Sequence, residues 1–318
     1  MKFILNNLIF AANVILPVFL IVAIGTILKY RKIIDDNFVT ISSKVVFNVT
    51  MPVLVFMKLS VMDAHENLDW KVIIFLYGVI FFFFFISWGI GKIFIKDRAK
   101  LGSFVQGSFR SNMAVVGFAI VYNSYGDAGL AYAAIILAFL MPLYNVLSII
   151  VLTVTAHSDK KTNYLKIIGE IFKNPLIMAA IISVPFSYYS IELNPIVEKT
   201  GNYLAALSIP LALIGIGGNL NFHVLKKSSS IALYSALIKL ILVPLAAVVL
   251  GVILGYRGMY LGIIFIMVGS PTAIVSYIMA KAMGADGEAA GSIVLVTTIG
   301  SVVTISLGIF LMRTLALI

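Results

Sequence analysis

Apolar residues in this chain come in runs close to the roughly 20 helical residues that cross a bilayer, and short polar clusters separate them. Ten runs can be marked, at 7–28, 38–59, 71–95, 102–124, 128–155, 165–188, 198–219, 229–255, 258–282 and 288–314. A helix that is apolar all round is stable only when surrounded by protein or lipid. The pattern therefore predicts an all-α membrane protein of ten transmembrane helices with no separate soluble domain. The stretch from Met1 to Leu28 superficially resembles a secretory leader, with Lys2 ahead of an apolar segment. Its apolar run is too long for a leader and shares in the repeat described next, so it is read as a retained first span.

The interruptions recur. At an offset of 158 residues Pro17 falls on Pro175, Pro52 on Pro210, Gly126 on Gly284 and Gly129 on Gly287. Ala131 then meets Ala289, Ile135 meets Ile293 and Leu137 meets Leu295. Five spans fall in each half, and an odd number forces the second copy to enter the membrane from the opposite side. The expected organisation is a first five-helix repeat over 1–155, a cytoplasmic linker over 156–164, and a second, inverted repeat over 165–318. Matching Gly and Pro interruptions in two halves point to an alternating-access transporter whose site lies between the repeats.

Composition supports the lipid reading and charge orients it. Hydrophobic residues make up 61% and charged residues 11%, against about 45–50% and about 25% in soluble domains. The net charge of +10 sits in short loops rather than on one face, which argues for topology and against nucleic acid. Alternate loops carry Lys29, Arg31 and Lys32; Lys92, Lys96, Arg98 and Lys100; Lys160 and Lys161; Lys226 and Lys227; and Lys281. By the positive-inside rule these are cytoplasmic. The other loops are dominated by Asp63, Glu66, Asp69, Asp127, Glu192 and Glu198. The expectation is a multi-pass protein of the bacterial inner (plasma) membrane with both termini extracytoplasmic.

Spans four and nine should be broken near mid-membrane. Span four holds Arg110, Ser111, Asn112 and Gly117, and span nine holds Ser270, Pro271 and Thr272. Pro271 lacks an N–H and clashes with the preceding turn, while Gly117 and Asn112 loosen span four less forcefully. A break in hydrocarbon survives only where it is buried in protein or lines a wet cavity. These residues are therefore the candidate substrate-binding set: amide and hydroxyl groups beside helix N-termini that suit a carboxylate. Arg110 lies well inside its run, so it either meets an incoming anion or snorkels to the surface. For Lys239 in span eight snorkelling is expected, and Glu170 with Lys173 should form an ion pair at i, i+3.

Spans two and seven carry a second constellation, Asn48 with Pro52 and its counterpart Pro210, whose prolines free carbonyls one turn earlier. Asn48 joins the substrate-binding candidates. Gly215 and Gly218 serve helix breaking or close packing. Tyr144 and Asn145 bond across helices or touch substrate. Enzymatic signals are lacking: His65, His157 and His223 fall in loops without metal-ligand spacing, no cysteine occurs, and no phosphate-binding glycine loop is present. No cofactor or metal is expected.

These same motifs resemble those of the auxin efflux carrier family, which includes malate permease-like proteins and plant PIN carriers. The resemblance spans essentially the whole chain. It rests on Asn48 with Pro52, Asn112 with Gly117, Pro142 with Tyr144 and Asn145, Asn174 with Pro175, Pro210 leading to Gly215 and Gly218, and Pro271-Thr272-Ala273 leading to Ala280 and Gly284. It implies broken spans four and nine crossing at mid-membrane and elevator-like transport of organic anions. One departure stands out: Gly117-Phe118-Ala119 lacks the proline the family usually places there, which predicts a softer break in span four. The expected partners are a small organic anion, such as malate, and membrane lipid, with a homodimer left open. A sodium-coupled symporter of the bile-acid type is the alternative, and a channel or membrane receptor a more distant one.

Overall fold

The computed structural model describes residues 2–62, 69–155, 174–220 and 230–318. Among these the chain is almost wholly helical and holds no strand. In order the helices are α1 (Lys2–Tyr30), α2 (Asp36–Val45), α3 (Met51–Ser60), α4 (Trp70–Phe94), α5 (Arg98–Phe109), α6 (Phe118–Thr155), α7 (Pro175–Tyr188), α8 (Pro195–Asn219), α9 (Ser230–Leu237), α10 (Val243–Ile253), α11 (Gly258–Gly269), α12 (Val275–Ala282) and α13 (Gly287–Thr314). Single π turns at Val46–Thr50, Met113–Gly117 and Ile238–Leu242 lead into α3, α6 and α10.

Seven stretches are long and apolar enough to cross a membrane: Lys2–Tyr30, Asp36–Ser60, Trp70–Phe94, Met113–Thr155, Pro195–Asn219, Ser230–Ile253 and Gly287–Thr314. The difference from the ten expected runs has local causes. Spans four and nine are cut into shorter helices, span six is described only from Pro175, and the end of span four continues into span five through Gly126 at φ 63°. The linker 156–164, the pair Glu170 and Lys173, the three histidines, Asp63, Glu66, and the loop lysines 160, 161, 226 and 227 lie outside the described residues.

Polar residues between the runs act as helix caps as well as charges. Asp35 accepts from Phe38 N at 2.7 Å, Asp69 from Lys71 N at 2.9 Å, Asp97 from Ala99 N at 2.9 Å and Asp286 from Ala289 N at 2.9 Å. Asn174 and Asn194 cap α7 and α8 in the same way, each followed by a proline at the first helical position. Each such cap contributes about 1 kcal/mol. Two other prolines, Pro52 and Pro244, stand at the second position after a π turn. The extra residue in such a turn makes room for a ring that a regular helix would exclude.

Packing divides the helices into two groups. In one, α8 lies along α1, α2 and α3, and α3 also packs on α7. In the other, α5 packs on α4, α6 and α13, α11 on α6 and α10, and α12 on α13. The first group is tight because glycine removes the spacer between backbones: a Cβ on Gly217 would strike the Val22 carbonyl, and one on Gly25 the Ile214 carbonyl. Thr26 Oγ1 also donates to the Gly217 carbonyl at 3.0 Å. Of the two glycines that sequence reasoning named for helix breaking or packing, Gly215 is the looser, since a Cβ there would meet only Ser43 Oγ at an ordinary 3.6 Å. Gly218 does pack closely, with Val39 Cγ2 2.6 Å from the position of its absent Cβ. Large apolar side chains such as Leu20, Phe85, Ile182, Leu245 and Val303 remain on the outside, as lipid-facing helices require.

Candidate functional site

Both expected breaks are present, and they touch. Helix α5 ends at Phe109, Arg110 turns extended, and the chain re-enters helix through the π turn after Asn112. Helix α11 ends at Gly269, Ser270 turns away, and α12 starts at Val275. The two non-helical segments run antiparallel and pair at Ser111 and Thr272, with Asn112 N donating to the Pro271 carbonyl at 2.8 Å.

A helix end leaves its last four carbonyls without helical partners, which is costly away from water. Here each break serves the other's helix. Ser111 Oγ donates to the Met267 carbonyl in the last turn of α11 at 2.7 Å, with the Ser270 carbonyl 3.2 Å away. Reciprocally, Thr272 Oγ1 donates to the Gly107 carbonyl in the last turn of α5 at 2.7 Å. Thr272 N is met by Thr297 Oγ1 of α13 at 3.1 Å. Gly117 permits the close approach, because a Cβ there would stand 3.2 Å from both Met267 Sδ and Ser270 Oγ. Ser111, Ser270, Pro271 and Thr272 are all buried, whereas Asn112 is only half-buried and its side-chain amide bonds to no described residue.

Arg110 does not snorkel. Only 4% exposed, it turns to the second half of α6, where Nη2 donates to Asn145 Oδ1 at 2.8 Å and Nη1 to Ser148 Oγ at 3.0 Å and the Tyr144 carbonyl at 3.3 Å. Met279 Sδ of α12 lies 3.5 Å from Nη1. All of these partners are neutral. Lys239 overturns the snorkelling expectation as well: it is 0% exposed, and its Nζ donates to the Val268 carbonyl, again in the last turn of α11. The π turn Ile238–Leu242 that carries it faces the protein because its helix packs behind the crossing on α5, α11 and α13.

A cavity of about 980 Å³ lies between the two helix groups. Lys29, Asp36, Asn219, Lys281, Asp286 and Glu288 are among its lining, as is Ile274 just before α12, whereas Arg110, Ser111, Asn112, Gly117, Ser270, Pro271 and Thr272 are not. Lys29 and Asp36 form an ion pair of 2.7 Å. The second constellation stands apart from this site. Asn48 is exposed and donates to the Lys44 carbonyl at 2.8 Å, Pro210 is exposed on α8, and neither these nor Pro52 line the cavity. Sequence reasoning missed Lys239, Val268 and Thr297 as members of the crossing. For Thr297 a signal existed in the polar run Thr297, Thr298 and Ser301 inside an apolar span.

Comparison with known proteins agrees over nearly the whole chain. A family model described as membrane transport protein matches residues 10–309. A Methanocaldococcus jannaschii protein named uncharacterized transporter MJ1031 is 24% identical over 304 residues, 93% of this chain and 96% of the relative. The Escherichia coli K12 uncharacterized transporter YfdV is 24% identical over 310 residues, 94% and 96% of the two chains. An uncharacterized transporter of Methanothermobacter thermautotrophicus is 22% identical over 304 residues, 93% and 97%.

Proposed function

Since the chain belongs to the membrane transport protein family, that of the auxin efflux carriers, we propose that it is a secondary carrier of small organic anions, carboxylates such as malate, working by an elevator-like alternating-access motion. The observation that carries this reading is the crossing itself, where Asn112, whose side-chain amide bonds to no described residue, directly precedes the π turn that opens the second half-helix of span four and pairs through its backbone with Pro271. Helix N-termini carry partial positive charge and free N–H groups, so a carboxylate held there needs no arginine of its own. The amide supplies donors for one oxygen and an acceptor for a hydroxyl on the same substrate.

In this mechanism the group holding α4–α6 and α9–α13 carries the site, and the group of α1–α3, α7 and α8 stays fixed. The π turn Met113–Gly117 rests against α8, so the site lies where the groups meet. Lys29 and Lys281, which line the cavity, belong to the loops that the positive-inside rule would put in the cytoplasm, and this supports reading the conformation as inward-open. On the opposite side Lys58 of α3 pairs with Asp127 of α6, and Asn123 Nδ2 donates to the Val14 carbonyl at 3.0 Å, closing the groups together. Two inverted repeats, 1–155 and 165–318, would exchange these roles in the outward-open state, with both termini outside the plasma membrane.

The test is uptake of labelled malate and other carboxylates by liposomes holding the purified protein. Saturable flux that is stimulated by the same anion on the far side, and abolished in Asn112→Ala, is the expected result. Folded protein that moves no anion defeats the proposal.

A further inference from the structure

We propose that the Lys239 ammonium occupies, from within the chain, a cation site at the buried C-terminus of α11, so that the crossing is complete without a bound sodium or potassium ion. The carbonyl ends of half-helices are where ion-coupled carriers hold their cations. Around the end of α11 the Ile266 carbonyl is taken by Ser270 and the Met267 carbonyl by Ser111, and the Val268 carbonyl is taken by Lys239. No carboxylate balances this charge: the ion pairs among the described residues are Lys29 with Asp36 and Lys58 with Asp127, both remote from it.

What Lys239 holds is what an alkali cation takes, a neutral oxygen, the Val268 carbonyl. Helix α13, packed against its π turn, carries Thr297, Thr298 and Ser301, all buried. Each of these hydroxyls donates to a carbonyl of its own helix, and Thr297 Oγ1 also accepts from Thr272 N, so it is Thr298 and Ser301 whose oxygens keep their lone pairs as acceptors. A side chain that fills such a place cannot exchange with solution. Its charge then travels with the crossing at every step, and the anion needs no co-transported metal ion. That consequence for transport rests on the function proposed above, whereas occupancy of the site by Lys239 does not.

Thermal unfolding of the purified full-length protein in sodium, potassium or choline chloride tests the site without any substrate. The wild type should melt at one temperature in all three salts. Lys239→Ala, which removes the ammonium and opens space, should melt lower in choline and regain about 2 °C or more in sodium or potassium. Lys239→Met, which keeps the volume and removes the charge, should fold and ignore the cation. Specific stabilisation of the wild type by sodium or potassium would overturn the proposal, as would a Lys239→Ala variant equally unstable, or equally impossible to purify, in every salt. In liposomes wild-type malate flux should be unchanged when choline replaces sodium, and Lys239→Ala should regain flux only with an alkali cation. If the wild type carries no anion, the transport reading fails while the melting series still decides the cation site.

Discussion

The two broken helices reach one geometry from different sequences. In α11–α12 the cause lies in the chain, since Pro271 can neither donate to the preceding turn nor avoid its carbonyl. At the break between α5 and α6 no proline is present, yet Arg110 and Asn112 leave the helix just as decisively. Here the cause is the partner. Asn112 N spends its hydrogen on Pro271, Ser111 spends its hydroxyl on α11, and the following turn widens to a π turn in which Gly117 N reaches back to the Asn112 carbonyl at 3.2 Å. The softer break expected from the missing proline is not observed. Tertiary pairing has done what local strain does on the other side. The buried cations differ too, for Arg110 turns its guanidinium away from its own helix to side chains and a carbonyl of α6, while Lys239 reaches the end of α11 from another helix.

The contrast can be broken at five positions. The largest effect is expected from Gly117→Leu, whose side chain must enter the contact with Met267 and Ser270; a loss of about 2–3 kcal/mol is expected in chemical or thermal unfolding in detergent. Next, Asn112→Ala should lower anion flux at least about tenfold, near 1.4 kcal/mol, while the melting temperature hardly moves. An equal fall in both would make Asn112 structural. Ser111→Ala should cost about 1–2 kcal/mol of stability by baring a buried carbonyl. Paired with Thr272→Ala in a double-mutant cycle, it should show positive coupling, because each hydroxyl serves the other's helix. The smallest change should come from Pro271→Ala, about 0.5 kcal/mol, because it is the carbonyl of residue 271 that meets Asn112, and alanine keeps it. A loss larger than that of Ser111→Ala would mean that the ring, not the pairing, holds this break open.

Much of this was legible in the sequence, and what was not has a physical reason. The apolar runs marked the helices well because lipid demands length and apolarity of any span, whatever its neighbours. Pro271 and Gly117 marked the breaks because backbone chemistry is local. Direction was not legible. A helix such as the one carrying Lys239 is apolar on every side, so its sequence does not say which side meets protein and which meets lipid. Snorkelling was therefore expected of a lysine that lies fully inside. Asn48 shows the same limit from the other side: its polar amide beside Pro52 suggested a site, and in the π turn Val46–Thr50 that amide is exposed and donates to the Lys44 carbonyl. The mutual service of Ser111 and Thr272 joins residues from opposite halves of the chain, a pairing that neither local stretch specifies alone.

Because each hydroxyl stoppers the other rod, neither rod can slide by itself. Withdrawing one would strip a carbonyl bare on both, at a cost of several kcal/mol in a dry interior. The crossing is thus a single knot, hauled whole or not at all, and any stroke of this machine must be sought at the seams around it.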